Sequence, residues 1–363
     1  MHPSAAPSPS KTGAEPLGQS SLRDFTRIAF KAGALLTTVL ATITGVALFV
    51  PDDTNYALAS VIKHKRLAEF DTRKIVLVGG SNLAFGIDST LIERATGCPV
   101  VNMGMNGYLG VRYMLEEIKT KIKPSDIVVL AFEWDNFYKS VDGTAPDLLA
   151  VAKANPVAFT YLTHKQRLRV ISTIPHVAQV KAMRLIKESM VSIKNRVTGN
   201  RDEVQNDEDR LIVKIESLSG FTPEGDLVSH LGVKWPYARE DGIIPKGAPI
   251  ESQMISLMRD FTGEMAKRDI SVMVSYTPVI REFYDRYQNE LSDAHKLIGT
   301  MAPLVAPSPP SAFVYDEPYF FDTVYHLNAE GRSLRTQKLI QDLKMQFHAR
   351  VHCPQATVAI TGE

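Results

Sequence analysis

The sequence predicts an α/β protein: a three-layer α/β/α sandwich around a parallel five-stranded sheet, tethered by one N-terminal transmembrane helix. Three observations carry this expectation. Short runs such as the β-branched 74–78 and the wholly apolar 127–132 suit strands buried on both faces. Segments of helical period separate those runs, the rhythm of parallel α/β folds. The third is Ala32 to Val50, 19 residues without a charge, close to the length that crosses ~30 Å of hydrocarbon at about 1.5 Å per residue.

The N-terminal part of the 363-residue chain defines the tether. Residues 1–31, rich near the start in Pro, Ser, Ala and Gly, are expected to be a disordered tail. Residues 32–50 are the anchor and 51–73 a juxtamembrane linker. Arg23, Arg27 and Lys31 precede the apolar run, and Asp52 and Asp53 follow it. That bias keeps the N-terminus in the cytoplasm and exports the rest, placing the chain as a single-pass protein of the cytoplasmic membrane with a periplasmic domain. Lys63, Lys65 and Arg66 count the other way. The competing reading is a signal peptide cut after Ala57-Leu58-Ala59, but the lead is long and the apolar run exceeds a typical h-region of ~7–15 residues. Net charge of +1 from 41 Lys and Arg against 40 Asp and Glu offers no field for a polyanion, so no nucleic-acid partner is expected.

The exported part, 74–347, reads as alternating strands and helices. Lys74–Val78 is the first strand, ending at Gly79-Gly80-Ser81. A helix follows from Ser89 to Thr96, stopped by Gly97. Pro99–Asn102 is the second strand. Val111, Met114, Leu115, Ile118 and Ile122 then mark a helix that Pro124 ends. Ile127–Phe132 is the third strand. Residues 134–250 break the rhythm, with a helical stretch near 158–195 and a polar run from Asn200 to Arg210, and read as an insertion above the carboxyl ends of the strands, where such sheets bind ligands. Met254, Met258, Phe261 and Met265 mark the next helix, Ile270–Tyr276 the fourth strand and Ala312–Tyr315 the fifth. A last helix runs from Ala329 to Phe347 with Asn328 as its cap and Leu339, Ile340, Leu343 and Phe347 inward. The arrangement is that of a flavodoxin-like sheet, and 348–363 form a C-terminal tail. Cys98 and Cys353 are the only cysteines; they pair in an oxidising compartment or remain two thiols, and spacing alone leaves both open.

Three stretches carry residues suited to chemistry. In Val78-Gly79-Gly80-Ser81-Asn82 small residues let the chain turn and expose a hydroxyl at a strand end. An ordinary glycine turn uses the same residues. Asp322 and His326 lie four apart in Asp322-Thr-Val-Tyr-His326-Leu-Asn328. A serine needs an imidazole to take its proton, and the imidazole needs a carboxylate to fix its tautomer. Val101-Asn102-Met103-Gly104-Met105-Asn106-Gly107, after the second strand, offers backbone N–H groups and amides to a developing oxyanion.

In that order the stretches resemble the SGNH, or GDSL-like, hydrolase family, especially its membrane-anchored bacterial branch in acyl modification of envelope polysaccharides. The resemblance spans about 74–140 and 270–345 and implies Ser81 as nucleophile, His326 as base, Asp322 as its orienter and Gly107 as an oxyanion donor. The family's third block usually reads Gly-x-Asn-Asp; here Phe132-Glu133-Trp134-Asp135-Asn136 stands instead, so the asparagine donor maps onto Asn136, with Glu133 or Asp135 as competitors for the place. The Asp-to-His separation is four rather than the family's common three.

The implied activity is a serine esterase or O-acetyltransferase acting on an acylated carbohydrate, with no cofactor or metal and, for transfer, a membrane-bound partner that supplies the acyl group. Two alternatives remain: a non-catalytic carbohydrate-binding or scaffold subunit of an export complex, and a membrane-surface lipid esterase. Gly225-Asp226 and His230 to Trp235 offer a polar and aromatic stretch for stacking on sugars or for packing a loop. His164, His176, His348 and His352 lack metal-ligand spacing. The cluster from Lys63 to Arg66 suits a solvated helix face or lipid headgroups.

Overall fold

The computed structural model describes residues 19–198, 207–234, 244–347 and Cys353. Two compact units emerge, one of Met1–Val50 with Ile174–Leu185 and one of Pro51–Thr173 with Ile186–Glu363.

The first unit is built on α1 (Gln19–Phe49), a candidate membrane span from Asp24 to Phe49. Residues 19–31, expected in a disordered tail, are helical, because no Pro or Gly interrupts the chain between Gln19 and the apolar run. Residues 1–18 lie outside the described part. Pro51, which cannot continue a helix, follows its end. Thr37, Thr38 and Thr42 return their hydroxyls to the carbonyls of Gly33, Ala34 and Thr38, so these polar atoms demand no water.

In the second unit the linker proves to be structured. It contains α2 (Ala59–Glu69), with Ala59, Ser60, Lys63 and Leu67 buried. Lys63 is neither solvated nor free for headgroups: its Nζ donates to Asn102 O at 2.8 Å and Gly225 O at 2.5 Å. Arg66 pairs with Glu93 at 2.6 Å. Burial lowers the Lys63 ammonium from 10.5 to about 7, partly opposed by Asp226 and Glu117.

The main sheet has four parallel strands in the order β2 (Val100–Asn102), β1 (Ile75–Gly79), β3 (Ile127–Ala131), β4 (Ser271–Val274). Ile75 lies level with Val100 and Ile127, and Ile127 with Ser271. On one face Ile75, Leu77, Val129 and Met273 form a core with Leu83 of α3 (Ser81–Gly86), Ile92 of α4 (Ser89–Thr96) and Leu339 and Leu343 of α11 (Ala329–Phe347). The alternate residues Val76, Val78, Val128 and Leu130 are equally buried, and α5 (Val111–Lys119) lies against β1 and α9 (Ser252–Lys267) against β4. The start and stop of α4 follow the expected chemistry. Asp88 Oδ1 accepts from Leu91 N at 3.0 Å, and Gly97 closes the helix at φ 72°.

The fifth strand expected at Ala312–Tyr315 does not join this sheet. β6 (Val314–Tyr315) pairs instead with β5 (Val279–Ile280) in a separate parallel pair against α10 (Arg281–Gly299). Beyond β4 the described residues show a single bridge, Met273 with Val305. Pro303, Pro307, Pro309 and Pro310 explain the difference, since a run without those N–H groups cannot sustain a ladder beside β4.

The expected insertion supplies α6 (Ala145–Ala154), α7 (His164–Thr198) and α8 (Asp207–Ile215). Further along, Asp226 is a buried junction, accepting from Ser89 N and Oγ, Asn102 Nδ2 and Arg332 Nη2. Cys98 and Cys353 form a disulfide with Cα atoms 4.8 Å apart.

Candidate active site

Glycine shapes the turn after β1. A Cβ on Gly79 would run into the backbone carbonyl of Ala131, so that position admits no larger residue, and one on Gly80 would have to displace the Glu133 carboxyl. Ser81 therefore opens α3 directly above the strand ends. Asn82 beside it is held from three sides: its Nδ2 donates to Ala131 O and Glu133 Oε1, and its O and Oδ1 accept from the buried Arg335 at 2.6 and 2.7 Å.

The second piece is a tight reversal before α11. Phe320 bridges Leu327, Phe321 N donates to His326 O at 2.8 Å, and His326 N donates to Thr323 Oγ1 at 3.1 Å. The reversal makes the four-residue separation workable, bringing Asp322 Oδ1 to 2.7 Å from His326 Nδ1. His326 Nε2 lies 2.8 Å from Ser81 Oγ. The ring of Phe85 stacks parallel on the imidazole with centroids 3.9 Å apart. Asn328, as expected, caps α11, its Oδ1 accepting from Glu330 N and Gly331 N.

These groups open on a cavity of about 280 Å³ whose walls include Tyr56, Phe85, Asn106, Gly107, Tyr108, Glu133, Asp135, Lys139, Glu216 and Tyr325. Ser81 and Gly107 share it. As the first residue of a helix, Ser81 has an N–H that the helix itself cannot pair. The peptide of Gly107 is fixed through its carbonyl, which accepts from Asn136 Nδ2 and Gly110 N, both at 3.2 Å.

Asn136 therefore sits behind Gly107 rather than on the cavity wall, and of the third-block residues Glu133 and Asp135 reach it. Glu133 is 4% exposed. Its Oε1 accepts from Asn82 N and Nδ2 at 3.1 and 2.9 Å, and its Oε2 has no hydrogen-bond partner among the described residues. Burial raises its pKa above the ordinary 4.5, against the Asn82 hydrogen bonds and with help from Asp135. Glu216 is likewise raised by burial, with His326 opposing and Asp322 adding.

Asn102 serves the frame: its Nδ2 donates to Leu83 O and Asp226, and its Oδ1 accepts from Gly104 N. His230 packs against Phe85 and Phe321 with Nε2 3.0 Å from Leu327 O, so it supports the reversal instead of meeting solvent. Trp235, His348 and His352 lie outside the described residues. Among the described residues, no three His, Cys, Asp or Glu side chains gather as a metal ion would require. Sequence reasoning did not find Tyr56, Phe85 or Glu216. Phe85 had a readable signal, standing four residues after Ser81 on the same short helix; Tyr56 and Glu216 arrive from distant segments and had none. No family model matches the chain, and no curated protein sequence matches it.

Proposed function

We propose that the protein is a serine-dependent acyl-ester hydrolase or O-acyltransferase of SGNH/GDSL-like type, with a three-layer core. It acts outside the cytoplasmic membrane on an acylated, most simply acetylated, envelope carbohydrate. The observation that carries the reading is the unbroken hydrogen-bonded series from Ser81 Oγ through His326 to Asp322. His326 Nε2 takes the serine proton as Oγ attacks the ester carbonyl; Asp322 holds Nδ1–H and stabilises the imidazolium. The N–H groups of Ser81 and Gly107 receive the oxyanion. His326 then returns the proton to the leaving alcohol. Water completes hydrolysis of the acyl-serine; a sugar hydroxyl completes transfer, with a membrane-bound partner supplying the acyl donor.

Retention of α1 is favoured by Tyr56. It precedes the candidate cleavage point yet lines the cavity, its hydroxyl donating to Met105 O at 2.6 Å. The cystine favours an oxidising compartment. Glu133 is the one observation that favours the non-catalytic carbohydrate-binding alternative, because an ionised carboxylate beside Ser81 opposes an oxyanion. Labelling by a fluorophosphonate decides between them. Stoichiometric labelling of the wild type that is lost in Ser81→Ala and slowed at least ~1,000-fold in His326→Ala supports catalysis. A folded wild type that resists the reagent supports the binding reading.

A further inference from the structure

Helix α7 does something the cavity does not require. From Met183 onward it is exposed nearly all round. Met183, Ile186, Met190, Ile193 and Val197 recur at alternating spacings of three and four, forming one apolar stripe whose members are 59% to 81% exposed. The same helix carries eight Lys and Arg against a single acid, Glu188. Lys187 and Lys194 flank one edge of the stripe and Arg196 the other. Apolar stripe and basic flanks together are the pattern of a helix that lies in a bilayer interface, its apolar side in the acyl boundary and its cations at the headgroups.

The middle of α7 is fixed to the end of α1. Ile174–Leu185 and the α1 segment form one compact unit. Lys181, 5% exposed, donates from Nζ to Ala47 O at 3.1 Å and Val50 O at 2.6 Å, carbonyls that the end of a helix leaves without intrahelical donors. Val50 is the last residue of the uncharged run, so this contact marks the boundary between hydrocarbon and water if α1 spans the bilayer.

We propose that α7 is an interfacial helix that lays the stripe from Met183 to Val197 onto the anionic surface of the bilayer that α1 crosses. The inference rests on α1 as a membrane span and is independent of the chemistry at Ser81. Charge selects the occupant. A second copy of α7 paired along the stripe would bring the cations that flank it, Lys187 and Arg196 among them, against their own copies, whereas anionic headgroups attract each Lys or Arg near the surface by about 1 kcal/mol.

The test uses the full chain in nanodiscs of phosphatidylcholine with or without phosphatidylglycerol. An environment-sensitive fluorophore is placed on Ile193→Cys, on Ser192→Cys on the polar side, or on Leu40→Cys within α1. Lipids with spin-labelled tails should quench the labels at 193 and 40 but spare 192. Protection at 193 should require phosphatidylglycerol and fall roughly fivefold for each cation removed in Lys187→Gln and Arg196→Gln. Equal wetness at 193 and 192 with a lipid-buried 40 overturns the inference and leaves the anchor standing. Quenching between two labelled copies at 193, in place of lipid quenching, also overturns it, in favour of a seam between chains. A wet label at 40 removes the anchor and the inference with it, while fluorophosphonate labelling still judges Ser81.

Discussion

Two buried ionisable residues next to the site make opposite demands on pH. Glu133 has a folded pKa above its unfolded value, so its contribution to stability is complete below pH 4.5 and is lost as pH rises through the folded pKa. Glu133→Gln keeps an oxygen for Asn82 and removes the charge. The variant should gain on the wild type by up to ~1.4 kcal/mol for each pH unit above the unfolded value until the folded pKa is passed. Glu133→Ala should instead cost about 2–4 kcal/mol, since Asn82 N and Nδ2 lose a buried acceptor. Urea midpoints at pH 5 and 8 check both; a pH-independent difference between Gln and wild type refutes the charge argument. His230 works in the other direction. Burial lowers its pKa from 6.5 to about 4, opposed by the Leu327 carbonyl. Its contribution is therefore present above pH 6.5 and lost as pH falls toward 4, a total of about 3 kcal/mol. His230→Gln should show a flatter acid limb in chemical denaturation between pH 7 and 4; an unchanged limb would mean that this imidazole is not kept neutral by the core.

At the scale of elements, the readable parts of the chain are those whose structure is local. The strands at 75–79 and 127–131 are continuous β-branched or apolar runs, α4 carries its glycine stop at Gly97, and Asn328 announces α11. Ser81, His326 and Asp322 were legible because turn residues and a capped helix bracket them, and the structure brings all three within hydrogen-bonding reach. What failed depends on tertiary partners. Pairing of β6 with β5 is invisible in Ala312–Tyr315, since nothing in four residues names the neighbouring strand. Residues 51–73 looked like a linker because a Lys-rich helix reads as solvated until Asn102 and Gly225 supply carbonyls for Lys63. The surroundings of Asn136 are equally tertiary: its residue type suits an oxyanion donor, and in the fold one N–H of its amide donates to Gly107 O. The cavity-lining contributions of Tyr56 and Glu216 come from before β1 and from beyond α8, and only closure of the whole unit brings them to one cavity.

For the molecule as a whole, the longest covalent constraint is the cystine, whose ends are 255 residues apart in sequence. Cys98 precedes β2 and is 1% exposed, and Cys353 follows α11; both belong to the core that joins Ile75, Leu77, Leu339 and Leu343. The bond thus ties the last helix, which follows His326, back to the sheet that presents Ser81. Cross-linking so long a loop restricts the unfolded chain and should contribute about 2–5 kcal/mol. Because both sulfurs are enclosed, reduction should proceed mainly through unfolding rather than by attack on the native protein. The expected result is a lower urea midpoint for the reduced protein or for Cys98→Ala with Cys353→Ala, with little change in slope. Coincident curves would show that the bond adds nothing to the fold. The same pair reports on compartment without reference to activity. In intact cells the exported orientation leaves no thiol for a maleimide added after denaturation unless reductant comes first, whereas a domain held in the reducing cytoplasm presents both. Two reactive thiols in chain taken directly from membranes would therefore reverse the proposed orientation, and with it the access of Ser81 to any envelope carbohydrate.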